Sequence, residues 1–115
     1  MLRSFIDAQL VVAERLAARA PRQTVEEKEF LDECRGVGQQ MLLQGRLHGP
    51  ESLSRELLAS ALKLAANIDL LGPGGDDLAR RRREWTARLH EDVARLIQID
   101  EIDAAGRREA IGVEP

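Results

Sequence analysis

The chain has 115 residues, of which 43% are hydrophobic, 32% charged and 3% aromatic, and its formal net charge is −3. This size and composition are typical of one small globular domain and exclude a disordered chain. The negative net charge offers no overall field that would attract nucleic acid, so no nucleic-acid partner is expected. The single cysteine, Cys34, excludes an internal disulfide and a zinc site built from several cysteines. We expect Cys34 to be a buried small hydrophobe.

The beginning of the chain resembles neither a signal peptide nor a membrane span. Its apolar stretch, residues 2–12, is interrupted by Arg3, Asp7 and Gln9. No apolar run elsewhere approaches the length that a membrane-spanning helix needs.

Residues 2–19 are predicted to form the first helix, which Pro21 ends. Its apolar residues make a broad face, namely Phe5, Ile6, Leu10, Val12, Ala13, Leu16 and Ala17. Mostly opposite are Asp7, Glu14, Arg15 and Ala18. The broad face predicts burial against other helices. The alternative is that it lies on a membrane, although helices at membrane interfaces usually carry more basic residues on their polar side.

Thr24 and Glu27 form a T-x-x-E capping box, which predicts that the second helix starts there. Apolar residues follow at helical spacing, but Gly36, Gly38 and Gly45 interrupt them. Each glycine costs a helix about 1 kcal/mol relative to alanine. They predict either that another segment approaches the backbone closely or that the chain kinks near 36–38. A dinucleotide-binding loop is rejected, because the third glycine and the preceding strand are missing.

Residues 46–71 are predicted to hold the central helix, which Gly49-Pro50 opens and the Gly-Pro-Gly-Gly run at 72–75 ends. Its apolar stripe consists of Leu53, Leu57, Ala61, Leu64, Ala65 and Ile68, widened by Leu58 and Leu62. We expect this stripe to pack in the core. His48, in the turn before the helix, is expected to be solvated or to cap a carbonyl group, with a catalytic role as the less favoured alternative. Its neighbourhood lacks a ligand set for a metal.

Asp76 or Asp77 is predicted to cap the fourth helix, which runs to about Ile99. Its stripe consists of Leu78, Trp85, Leu89, Val93 and Leu96. Residues 100–105 extend the pattern weakly, and 106–115 are predicted to be a disordered tail. The predicted fold class is therefore all-α, a small bundle of about four helices in a single domain over residues 1–105.

The fourth helix also carries the one basic run of the sequence, made of Arg80, Arg81, Arg82 and Arg83. Four consecutive helical residues point almost all round the helix, so they do not form one patch. The favoured interpretation is a solvated, ion-paired face. The functional alternative is a contact to lipid phosphates or to an acidic surface of a partner.

Three stretches resemble the C-terminal region of bacterial glycerol-3-phosphate 1-acyltransferases. They are LRSFIDAQLVVAERLAAR at 2–19, VEEKEFLDECRGVGQQMLLQGRLHGPESLSRELLASALKLAANIDLL at 25–71, and the arginine-rich helix that begins DDLARRRREW at 76. The resemblance implies an enzyme family that acylates glycerol 3-phosphate at the cytoplasmic face of the membrane and begins phospholipid synthesis. In that family the catalytic domain lies upstream and carries a His-x-x-x-x-Asp motif, whose histidine acts as the general base.

This chain does not contain that motif. Five residues after His48 is Leu53, and five residues after His90 is Arg95. No catalytic, cofactor-binding or metal-binding residue can therefore be carried over, and we expect the chain alone to be inactive. The resemblance implies either a C-terminal fragment or a free-standing relative of that region, with a structural or docking role.

The resemblance also implies a partner and a location. The partner would be the acyltransferase catalytic domain, in cis or in trans, and the location would be cytoplasmic, with peripheral contact to the inner face of the cell membrane. The alternative is a small helical interaction or dimerisation module unrelated to lipid metabolism. The face of the first helix discriminates between them, because an exposed face would be a docking surface and a buried one would belong to a self-contained domain.

Overall fold

A computed structural model describes residues 2–111, with side-chain surroundings given from residue 3 to residue 99. Over this range the chain forms four α-helices: α1 (Leu2–Ala18), α2 (Glu27–Leu43), α3 (Arg55–Asn67) and α4 (Asp76–Ile111). A short 3-10 helix, Pro50–Leu53, precedes α3. The predicted all-α bundle is confirmed.

Helix α1 is the centre of the bundle, and it packs against each of the other three helices. Seven consecutive residues, Asp7 to Ala13, are buried, as is Leu16. A helix that is buried all round is a core helix. The broad apolar face therefore packs internally, as expected for a self-contained domain, and the alternatives in which that face lies on a membrane or is a docking surface are wrong. Among the residues of α1 whose side chains the structure describes, Phe5 is the large hydrophobic one that stays exposed, at 39%.

Helix α2 starts later than its capping box predicts. The residue that caps it is Glu26, whose carboxylate accepts a hydrogen bond from the Glu29 backbone N–H at 2.8 Å. Thr24 lies in the loop before the cap. At the other end Gly45 adopts a left-handed conformation, with φ of 74°, and the Arg46 N–H reaches back to the Met41 carbonyl. This is the usual glycine-terminated helix end.

The glycines within α2 have different surroundings, and the helix runs through both without a loop. A Cβ atom on Gly38 would lie 2.2 Å from Leu53 Cδ2 and 3.5 Å from Val11 Cγ1, so the predicted close approach is confirmed there. A Cβ atom on Gly36 would meet nothing within 4 Å. The close-approach prediction is therefore wrong for Gly36.

Helix α3 is shorter than the predicted central helix. The Gly49-Pro50 signal opens the 3-10 helix, and Ser54 then caps α3 by accepting a hydrogen bond from the Leu57 N–H at 3.1 Å. The buried face of α3 is shifted from the predicted stripe, because Leu57 and Leu64 are only partly buried. The residues of α3 that are buried are Leu58, Ala61, Leu62 and Ala65. Ile68, predicted to be core, is 44% exposed just beyond the helix.

Helix α4 begins at Asp76, so Asp76 and Asp77 lie in its first turn and neither is the residue before it. Its predicted stripe is confirmed at Leu78, Trp85, Leu89 and Val93, which are buried, while Leu96 is half-buried. The helix continues past the predicted end near Ile99, as far as Ile111. The predicted tail is thus helical over 106–111, and its last four residues lie outside the described residues. The single domain over 1–105 stays a prediction, as does the disorder predicted for residues 112–115 of the tail.

Candidate functional site

The interior of the bundle holds a carboxylate that the sequence pattern placed on the polar side of α1. Asp7 is completely buried; it accepts a hydrogen bond from Arg3 Nε at 2.9 Å and another from the His48 backbone N–H at 2.7 Å. A buried carboxylate needs such partners, because burying an unpaired charge destabilises the folded state strongly. Asp7 thereby fastens the turn between α2 and α3 to the first helix.

Asp7, His48 and Ser52 are the residue types of a hydrolase relay, but they are not arranged as one. Asp7 bonds to the main chain of His48 and not to its ring, and the His48 residue is exposed. The Ser52 hydroxyl is buried and has no hydrogen-bond partner among the described residues. A nucleophile must be within hydrogen-bond reach of its base. The contacts therefore do not support the catalytic alternative for His48.

The arginine run divides into an interior and a surface part. Arg82 is 1% exposed, and its guanidinium donates hydrogen bonds only to carbonyl oxygens among the described residues. The acceptors are Leu70 O at 2.8 Å, Leu71 O at 3.0 Å, Leu16 O at 3.2 Å and Arg19 O at 3.4 Å. Leu16 O belongs to the last turn of α1, where the helix dipole favours a cation. Arg82 therefore ties the end of α1 to the α3–α4 connection, and it is withdrawn from any lipid or partner contact.

The sequence contains a signal that Arg82 faces the interior, although the four-arginine run hides it. Position 82 lies four residues after Leu78 and three before Trp85, so it belongs to the inward stripe of α4. An arginine on such a stripe is expected either to reach out to solvent or to meet acceptors inside. Burial lowers the pKa of the Arg82 guanidinium, and the nearby charge of Arg19 lowers it further. Arginine nonetheless stays protonated at neutral pH.

The outward arginines agree with the ion-paired interpretation. Arg80 bonds to Asp77 and to Glu84, and Arg81 bonds to Asp77. Hydrogen bonds from Arg80 and then Arg81 hold the pKa of the Asp77 carboxyl below its usual value. Arg83 is exposed. Lipid or partner contact by these three arginines stays a prediction.

His90 lies on an exposed, charged face, as its sequence neighbourhood indicates. Its Nε2 atom is 3.1 Å from Glu14 Oε2, and Arg46 contacts the same carboxylate oxygen. These three residues join α1, the α2–α3 turn and α4 at the rim of the core. Such rim contacts stabilise a fold modestly and do not form a reaction centre.

Cys34 is a buried small hydrophobe, which confirms the expectation for this residue. It is fully buried. Burial, and then the charge of Glu33, raise the pKa of its thiol to about 12. The thiolate is the reactive form of cysteine, so the native thiol is inert at neutral pH. Within the part of the chain that the structure describes, no three His, Cys, Asp or Glu side chains cluster closely enough to hold a metal ion.

Four large hydrophobic residues are exposed at about the level of the first turns of α1, namely Phe5, Leu43, Ile97 and Ile99. Leu43 lies on α2 and the two isoleucines lie on α4, and over the described residues these two helices pack on α1 without contacting each other. Two recesses flank the first turns of α1, one of about 530 Å³ lined by Ser4, Phe5, Glu51 and Leu57, and one of about 250 Å³ lined by Ile6, Asp92, Arg95 and Leu96.

The antiparallel packing places these residues at the same end. Arg19 lies over the ring of Phe30, while Gly38 faces Val11, so α2 runs opposite to α1 and finishes where α1 starts. Arg82 bonds near the end of α1, whereas Leu96 lines a recess together with Ile6, so α4 also runs opposite to α1. Ile68, the remaining exposed large hydrophobic residue among those described, lies at the opposite end, next to Leu70 and Trp85.

None of the described helices is both long enough and apolar enough to cross a membrane. No solved structure matches this chain.

Comparison with known sequences identifies the family to which the chain belongs, which its contacts alone do not. It is 38% identical over 103 residues to the acyltransferase named plsB1 of Mycobacterium bovis, and equally so to that of two strains of Mycobacterium tuberculosis. The match covers 89% of this chain but only 16% of each relative. Residues 1–74, which include α1, α2 and α3, match the model of the glycerol-3-phosphate acyltransferase C-terminal region. Because the family model matches residues 1–74, this chain belongs to the family of glycerol-3-phosphate acyltransferase C-terminal regions.

Proposed function

We propose that this chain is a non-catalytic helical module that packs on the catalytic domain of a glycerol-3-phosphate acyltransferase, either in the same polypeptide or as a separate one. The observation that carries the proposal is the match of residues 1–74 to the C-terminal region of that family. The matched relatives have five-sixths of their length outside the match, which leaves room for a separate catalytic domain.

The chemistry of the described residues supports a non-catalytic role. The two histidines are not followed by an aspartate at the fifth position. The buried polar groups Asp7 and Arg82 are saturated by contacts that hold helices together. A group that acts as a general base must be able to reach a substrate, which these groups cannot do.

A peripheral membrane contact is the finer part of the proposal. Its support is limited to the outward arginines Arg80, Arg81 and Arg83, because Arg82 is buried. Arg80 and Arg81 already pair with carboxylates, so we expect a weak, salt-sensitive contact. Co-sedimentation with phosphatidylglycerol vesicles at low salt tests it. Loss of binding in Arg83→Gln would support the contact, and equal recovery with uncharged phosphatidylcholine vesicles would contradict it.

The main proposal is tested by a two-part reconstitution. A Mycobacterium tuberculosis plsB1 protein that lacks its matched region is assayed for acyl transfer to glycerol 3-phosphate, with and without this chain. We expect the chain alone to be inactive and the truncated protein to gain activity when the chain is added. Activity of the chain alone would overturn the non-catalytic assignment, and absence of any gain would overturn the docking role.

A further inference from the structure

The inference concerns a groove between the start of α2 and the outer face of α3. Its volume is about 500 Å³, which lies within the range of about 300–1,000 Å³ that is usual for small-molecule sites. The apolar residues that line it are aliphatic, namely Val25, Ala59, Leu62, Ala66 and Leu71. The groove therefore suits an aliphatic ligand, since it offers no aromatic ring on which a planar ligand could stack.

The floor of the groove belongs to the packed core. Leu62 is 4% exposed, and the half-buried Val25 and Leu71 pack against the core cluster. Ala59 and Ala66 lie about two turns apart on α3, so they share one face of the helix. Their short side chains leave room above that face. The groove is thus formed by the fold itself, as most small-molecule sites are.

The α3 edge of the groove carries a hydroxyl and an ammonium group. Ser60 and Lys63 both line the groove, and residues three apart lie on the same side of a helix. Among the described residues, no carboxylate lies within ion-pair distance of Lys63. Its neighbours at three and four positions along the helix are not acidic, namely Ala59, Ser60, Ala66 and Asn67. The charge of Lys63 is therefore available to an anion in the groove.

The α2 edge of the groove carries one carboxylate, that of Glu27. Glu27 lies in the first turn of α2, where the helix dipole and the unpaired N–H groups stabilise a negative charge. Glu26 and Glu29 lie at the same helix start and do not line the groove. An anionic group beside Lys63 lies on the opposite edge from these carboxylates, whereas a second anionic group on the ligand would meet them. The charges therefore favour a ligand with one anionic group.

We infer that this groove binds an aliphatic monocarboxylate. The hydrocarbon chain lies on the aliphatic floor, and the carboxylate accepts hydrogen bonds from the ammonium group of Lys63 and the hydroxyl group of Ser60. Charge-assisted hydrogen bonds of this kind are stronger than those between neutral groups. The inference goes beyond the proposed function and does not depend on it, because a ligand in this groove requires no acyltransferase domain.

Titration of the isotope-labelled chain with decanoate below its micelle concentration, followed by amide chemical shifts, tests the site. We expect saturable shifts in residues 59–66 and around Val25. Lys63→Gln removes the cation and should weaken decanoate binding about tenfold. Lys28→Gln is the matched control, because Lys28 is the other lysine of the sequence, is exposed and does not line the groove. We expect the control to bind within about twofold of wild type.

A second pair of variants tests the floor of the groove. Ala66→Leu fills the groove at an exposed helical position and should weaken decanoate binding about tenfold or more. Ala87→Leu, at an exposed position of α4 away from the groove, should bind as wild type does. Circular dichroism melting shows that each variant is folded.

The head group of the ligand is tested with two uncharged or cationic analogues of the same chain length. We expect decan-1-ol and decylammonium to bind more weakly than decanoate. Equal or tighter binding of either analogue would overturn the assignment to a carboxylate. Shifts that do not saturate, or that lie outside the groove, would overturn the site. Equal weakening in Lys63→Gln and Lys28→Gln would also overturn it, because the effect would be one of overall charge.

Discussion

At the scale of single residues, the guanidinium of Arg82 supplies donors to four carbonyl groups. They belong to the end of α1 and to the connection before α4. If the guanidinium is removed, these carbonyl groups lose their donors, and each one that is left buried and unpaired costs about 1–3 kcal/mol.

We therefore predict that Arg82→Met lowers the free energy of unfolding by about 3 kcal/mol or more. Arg80→Met is the control, because Arg80 is exposed and its ion pairs are expected to contribute about 0–1 kcal/mol. Urea unfolding followed by the fluorescence of Trp85 measures both values. Equal effects of the two substitutions would show that Arg82 is not a structural tie.

Cys34 gives a prediction about pH. In the unfolded chain its thiol ionises near the ordinary value of 9.0, whereas in the folded chain its pKa is about 12. The unfolded state thus releases a proton that the folded state retains, so stability contributed by the neutral thiol is complete below pH 9 and is lost as the pH rises toward 12. The loss is at most about 1.4 kcal/mol per pH unit.

The measurement is the free energy of unfolding between pH 8 and pH 11, compared with that of Cys34→Ala. The variant has a lower free energy of unfolding at pH 8, because a buried sulfur atom is removed. It has no thiol to ionise, so its free energy of unfolding falls less steeply with pH than that of the wild type. We expect the two curves to converge as the pH rises. Parallel curves would contradict a buried neutral thiol.

At the scale of elements, the contact between α2 and the 3-10 helix depends on a residue without a side chain. Gly38→Ala would place a Cβ atom 2.2 Å from Cδ2 of the buried Leu53, and Val11 Cγ1 would lie 3.5 Å from the same Cβ atom. We expect it to destabilise the fold by about 1 kcal/mol net, because overpacking exceeds the gain in helix propensity. Gly36→Ala, in open space two residues earlier, should stabilise the fold by about 1 kcal/mol. Thermal melts of the two variants should therefore move in opposite directions, and a shift of the same sign would refute the packing at Gly38.

The sequence predicts the number, the type and the order of the helices, because apolar spacing and Gly-Pro runs are strong local signals. The starts of α2 and α3 are less well predicted. Thr24 and Pro50 carry real start signals, yet the caps are Glu26 and Ser54. The short 3-10 helix that Pro50 begins contributes Leu53, which fits against Gly38. No local pattern in the sequence indicates this contact between distant parts of the chain.

At the scale of the whole molecule, the sequence does not reveal that α1 is surrounded. Its pattern indicates a polar side at Asp7, but Arg3 and the His48 N–H satisfy that carboxylate inside the bundle. Nor does the pattern show that Phe5, Leu43 and Ile97 lie at a similar level of the bundle, because that placement comes from the antiparallel packing. The interior contacts of Asp7 and Arg82 could therefore be found only with the structure, whereas the family could be suspected from the sequence alone.

We propose that the chain binds the acyltransferase domain of its family, and a direct binding measurement decides whether it does. Sedimentation velocity of this chain, mixed with Mycobacterium tuberculosis plsB1 that lacks the matched region, shows whether the two form a complex. We expect a single one-to-one species in the mixture and a monomer when the chain is alone. Separate sedimentation of the two proteins would refute the proposed binding, and a stable dimer of the chain alone would favour a dimerisation module instead.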